Sequence, residues 1–122
     1  MYARAAARYR DVDLESAPKT QIVERLFARF DRDLDDATAA ITAKNIPAKA
    51  KSIDHATQIV VALRGSLDHQ AAPELSAQLD SLYRFVLEQL SAANLKLDLK
   101  TLASARSVMT TLADAFKKAH AQ

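Results

Sequence analysis

Three prolines and a single glycine are almost the only strong helix breakers in this chain of 122 residues. Pro18, Pro47 and Pro73 each stand just before a long stretch with helical apolar spacing. Proline fits a helix only in its first turn, where its missing N–H would have no partner anyway. Gly65 lies near the end of the second stretch. Between these marks the chain holds 25 alanines, and alanine is the best helix former. So few places to bend leave little choice of fold.

Residues 1 to about 15 read as an arm rich in alanine and arginine. The bundle proper is expected over 16–120, the whole making one domain. Helix 1 is expected over Ala17 to Lys44, with Ser16 as cap and Asn45 as the left-handed residue that ends it. Its apolar face is Ile22, Leu26, Phe30, Leu34, Ala37 and Ile41, widened by Val23 and Phe27. Helix 2 is expected over Pro47 to Leu67, with Ile53, Ala56, Val60, Leu63 and Leu67 as its seam. Helix 3 is expected over Pro73 to Ala93, its main stripe Leu75, Leu79, Leu82 and Val86, with Asn94 as the stop. Helix 4 is expected over Leu99 to Ala119, capped by Asp98 and buried through Leu102, Ala105, Met109, Leu112 and Phe116. Three short connections make successive helices antiparallel neighbours. The fold class is therefore all-α: an up-down-up-down four-helix bundle with a short N-terminal arm or helix.

Composition and charge exclude several functions. The chain has no cysteine, so disulfides and thiolate chemistry are absent. No apolar run of about 18 residues exists to span a membrane, so no membrane insertion is expected. Arginines interrupt the N-terminal apolar run, unlike a secretory signal. The formal net charge is only +2. Asp31, Asp33, Asp35 and Asp36 stand among the arginines of helix 1 and would repel phosphate, so no nucleic-acid partner is expected. This acidic run reads as a solvated face paired with Arg29 and Arg32.

Catalytic chemistry finds no support either. A di-iron bundle needs inward Glu-x-x-His pairs, and none occurs. His55, His69 and His120 fall near a helix start, in a turn and at the tail, with no metal-ligand spacing. They read as solvated. There is no glycine-rich phosphate loop and no nucleophile elbow. No enzyme, no metal and no cofactor is expected.

What remains is apolar surface beyond one seam. Ile59 flanks the seam of helix 2, and Val61 projects away from it. Tyr83 and Leu87 lie well round helix 3 from Leu75, at about 100° per residue. Leu95 and Leu97 sit in a connection. Spacing alone leaves two readings: a wide core stripe, or a lateral groove for an amphipathic segment of a partner.

Helix 3 and its exit read Leu79-Asp80-Ser81-Leu82-Tyr83, then Leu90-Ser91-Ala92-Ala93-Asn94. This resembles the signature of the flagellar export chaperone FliS family, a Leu-x-x-Leu-Tyr segment followed by Leu-x-x-Ala-Asn. Tyr2 and Tyr9 resemble the tyrosines of that family's N-terminal arm. Ile22-Val23 and Leu26-Phe27 resemble the opening of its first long helix, and Leu63 to Asp68 the end of its second. The chain departs from the family at Ala28-Arg29, where Asp-Gly is frequent, and at Phe116, where many members carry tryptophan. The resemblance implies a cytoplasmic chaperone that binds the C-terminal segment of flagellin and delivers it to the flagellar type III export apparatus. A helical adaptor for another flagellar or secretion component is the alternative. With the resemblance in hand, the partner-binding residues are expected to be Tyr2, Tyr9, Ile59, Leu82, Tyr83, Leu87, Asn94 and Leu95.

Overall fold

The computed structural model describes residues 17–120, with side chains from Lys19 onward. Four helices follow one another: α1 (Ala17–Thr42), α2 (Ile46–Gly65), α3 (Pro73–Lys96) and α4 (Leu99–Ala119). No strand occurs among the described residues. Each helix packs on its chain neighbour, and α4 closes the ring against α1. This is the expected antiparallel four-helix bundle.

The core runs the length of the bundle. It joins Phe30 and Leu34 of α1, Val60 and Leu63 of α2, Val86 and Leu90 of α3, and Leu102 and Met109 of α4. Each helix also buries one alanine completely: Ala37, Ala56, Ala93 and Ala105. A methyl at these positions lets neighbouring backbones come close, and a larger side chain there would overpack the core.

The turns correct three expected boundaries. α1 stops at Thr42 rather than Lys44, and Lys44, not Asn45, takes the left-handed conformation (φ 58°). The Asn45 N–H bonds the Ala40 carbonyl and the Lys44 N–H bonds that of Ile41, the paired closure of a Schellman end. Asn45 is thereby free to cap α2, where its Oδ1 accepts from the Ala48 N–H at 3.1 Å. At the other corner α3 continues through Asn94 to Lys96, and Leu97 is the left-handed residue (φ 54°). Leu95 is therefore helical, not part of a connection. α2 ends at Gly65, two residues short of Leu67, and Ser66 closes it by bonding back to Ala62 and Leu63.

Gly65 has no positive φ, and a Cβ built on it meets nothing within 4 Å. The glycine is therefore not required by the fold. Gly65→Ala should stabilise the bundle by about 0.4–1 kcal/mol through the unfolded chain alone. A thermal melt checks this; a lowered midpoint would mean the space is used in a way the isolated chain does not show.

The stripe of α3 is turned by one residue from its expected position. Ser76, Tyr83, Val86, Leu90 and Ala93 are buried, with Leu79 and Leu87 partly so. Leu75 and Leu82, expected inside, are exposed. Both registers satisfy three–four spacing and share Leu79 and Val86. The difference is Ser76, a polar residue at a seam position. Its hydroxyl donates to the Asp68 carbonyl at 2.9 Å, so its burial leaves no orphan group and tightens the α2–α3 turn.

Candidate partner-binding surface

Polar ties fix the register of the bundle around this core. Arg64 of α2 grips Asp80 of α3 with two bonds, of 2.6 and 3.3 Å. That grip is the main reason the Asp80 carboxyl titrates below its ordinary value. Arg106 of α4 donates to the Asp31 carbonyl and to the Asp35 carboxylate of α1. Asp33 corrects the reading of a wholly solvated acidic face. It is buried, and it pairs with Arg29 and with Nδ1 of His55 on α2. His55 is thus not merely solvated: it covers a carboxylate that packing has drawn inward. Among the described residues no group of His, Asp or Glu side chains is arranged to hold a metal.

The expected partner-binding residues separate into three places. Tyr2 and Tyr9 lie outside the described residues. Ile59 and Tyr83 belong to the core, 5% and 6% exposed, rather than to a flank. Burial raises the Tyr83 phenol above its ordinary pKa. No fully buried side-chain oxygen or nitrogen among the described residues lacks a partner. Leu87 is half-buried beside Tyr83, one turn on. Leu82 is 40% exposed and Leu95 is 82% exposed.

Asn94 faces α2. Its carbonyl and its Oδ1 accept from the Lys49 amine at 2.9 and 2.8 Å. Lys49 itself is buried, and among the described residues no carboxylate bonds it. Its ammonium meets the C-terminal turn of α3, where carbonyls lack intrahelical partners and positive charge is favoured. This clamp joins the first turn of α2 to the last turn of α3, a connection that spacing within either helix cannot reveal.

The sequence reading missed Phe85. With the α3 stripe turned by one residue, Leu75, Leu82 and Phe85 all lie outside, at seven- and three-residue steps along one flank. Leu82 and Leu87 consequently stand on opposite sides of the buried stripe, about 140° apart. A concavity lies between α1 and α4. It is about 360 Å³, with Phe27, Phe30, Met109 and Ala113 among its lining. Glu24, Asp31, Asp114 and Lys117 also line it, so its charged lining is mainly acidic.

The family model described as "Flagellar protein FliS" matches residues 1–122. The Escherichia coli K12 flagellar secretion chaperone FliS is 31% identical over 97% of this chain and 91% of its own length. The Vibrio cholerae protein of the same description is 33% identical over 72% of this chain and 65% of its own. The Pseudomonas aeruginosa flagellar secretion chaperone FliSB is 31% identical over 84% of this chain and 85% of its own. With its whole length covered by the family and its four helices closed into the expected bundle, the chain belongs to the FliS family.

Proposed function

We propose that this chain is a non-enzymatic, cytoplasmic export chaperone. It binds the C-terminal segment of flagellin, prevents premature polymerisation and delivers the subunit to the flagellar type III export apparatus. The observation that carries this reading is the apolar flank of α3, left uncovered on a helix of a chain whose relatives are named flagellar secretion chaperones. A disordered client with amphipathic patches can lie along such a flank. The ordering entropy it loses is offset by apolar burial spread over a long contact.

Leu75, Leu82 and Phe85 form one side of the proposed binding region and Leu87 the other, across the buried stripe, with Leu95 near the C-terminal end of α3. Ile59 and Tyr83 support it from beneath, and Asn94 holds the end of α3 in place. The test avoids Tyr83, because truncating a buried ring would also weaken the fold. Leu82→Ser with Phe85→Ser should weaken capture of purified flagellin about ten-fold or more, as two apolar side chains lose their burial on binding. The circular dichroism of the bundle should stay unchanged. Full affinity in the folded double variant would remove the Leu82–Phe85 flank of α3 from the site. Flagellin lacking its C-terminal segment should not be captured at all; equal capture would favour the adaptor reading.

The arm is the second element of the proposal. Tyr2 and Tyr9 cover apolar surface until the client displaces them. The first ten residues of the arm carry Arg4, Arg8 and Arg10 and no acid, opposite in sign to most of the charged groups lining the α1–α4 groove, before Asp11, Asp13 and Glu15 follow. Deleting residues 1–10 should raise hydrophobic-dye binding and tighten flagellin peptide binding. Unchanged values in both would leave the arm without a covering role.

A further inference from the structure

The four-helix rod has two ends, and one of them is unlike the rest of the surface. The α1–α2 and α3–α4 turns both lie there, held together by the Lys49–Asn94 clamp. Ile46, Leu95, Leu97 and Leu99 are all exposed at these corners. Lys44, Lys96 and Lys100 are exposed between them, and Lys51 follows within the first two turns of α2. No ion pair engages these lysines among the described residues. The acidic residue of these corners is Asp98, half-buried, whose carboxylate caps α4 by accepting the Lys100 N–H. On a chain of net charge +2, the tip is a local concentration of positive charge.

Backbone strain points to the same residues. The two non-glycine residues with positive φ among those described are Lys44 and Leu97. Helices that end this way ordinarily place glycine or asparagine there, because a Cβ crowds the backbone. Here one left-handed position presents a lysine and the other a leucine. Residues kept in such conformations cluster at functional sites.

We propose that this tip is a docking surface for an anionic lipid bilayer. Exposed lysines are drawn to the negative surface potential, and leucines beside them reach the boundary between headgroups and acyl chains. No helix among the described residues is long and apolar enough to cross a membrane. The contact is made by side chains at two turns while the rod stays outside. The apolar groups project from separate corners with lysines between them. A fluid surface accommodates such knobs in any arrangement, whereas a protein partner needs matching holes. A second copy of the chain is disfavoured because lysines would face lysines. A few lysines and aliphatic side chains give a weak and reversible contact. Apart from Leu95, which borders both surfaces, none of this rests on the α3 flank.

The experiment is flotation of the full chain with vesicles of phosphatidylcholine containing phosphatidylglycerol, and with phosphatidylcholine alone. The chain should associate with the anionic vesicles only, and less so as salt is raised. Leu97→Gly with Leu99→Ser should weaken association by about ten-fold, and Lys96→Glu with Lys100→Glu should abolish it. Leu97→Gly alone should keep or raise the melting temperature, since it relieves the left-handed strain, while still weakening association. Leu82→Ser with Phe85→Ser should change nothing. Absence of association at low salt overturns the proposal and turns the tip toward an acidic protein surface. Association that survives loss of the leucines is mere adsorption of a cationic chain and overturns it equally. Leu95 borders both the tip and the client flank, so it is left intact in both experiments.

Discussion

Phe30→Ala should lower the stability of the bundle by about 3–5 kcal/mol, which moves a urea midpoint by ~2 M. Phe30 is 1% exposed and among the largest side chains buried to this degree. Its removal loses the transfer free energy of a benzyl group and leaves a void. That void would join the groove of about 360 Å³ between α1 and α4, of which Phe30 already forms part of the lining. α1 and α4 are not joined in sequence, so packing and the Arg106 contacts to Asp31 and Asp35 hold them together. A domain of this size has roughly 5–15 kcal/mol of stability to lose. Leu82→Ala on the exposed flank should change it by only about 0.5 kcal/mol. If the two variants melted alike, Phe30 would not be a packed core residue. Phe27 supplies a related contact at the same end, its ring 6.2 Å from that of Phe116, which in turn stacks on His120 at 4.2 Å. The tail of α4 is thereby fastened where the chain enters α1.

How far the sequence discloses such features depends on whether a residue acts within its own helix. α4 was legible in its bounds, its Asp98 cap and its buried Leu102, Ala105, Met109 and Leu112, which all follow from local spacing and capping chemistry, while Phe116 at the end of the stripe is only partly buried. α3 was legible as a helix but not in its rotation. Two registers fitted the apolar spacing, and the one that formed buries Ser76, which hydropathy alone would place outside. Asp33 shows the same limit. Read along α1 it is one of four acidic residues on a polar face. In the bundle α2 covers it, and His55, 22 positions away, becomes its partner. The left-handed residues at the turns were displaced by one in one corner and by three in the other. Asparagine suits either a C-terminal or an N-terminal cap, and only the path of the chain decides which use wins. The family signature pointed to Tyr83 and Asn94 as residues that matter. The structure gives each a packing role first, with the ring in the core and the amide on a lysine.

Asn94→Ala should cost about 1.5–3 kcal/mol, more than its exposed position suggests. Lys49 is buried, and its amine is held by two acceptors of α3, the Asn94 carbonyl and the Asn94 Oδ1. Deleting the side chain leaves a buried ammonium with one acceptor fewer. Such a group loses its partner without regaining water. Lys49→Met should be milder, because it removes the charge together with the need to solvate it and keeps the volume. The single substitutions should therefore not add. Lys49→Met with Asn94→Ala should be about as stable as Lys49→Met alone, within ~0.5 kcal/mol, since an alanine at 94 costs little once no amine asks for the oxygen. Denaturant unfolding of the four proteins closes this cycle. Additive losses would show that Asn94 acts elsewhere, and a stable Asn94→Ala would show that water reaches Lys49 freely. A coupled pair has a further consequence for the molecule. The clamp holds the last turn of α3 against the first turn of α2, so one buried lysine in α2 supports the neighbouring corner from which Leu95 and Leu97 emerge.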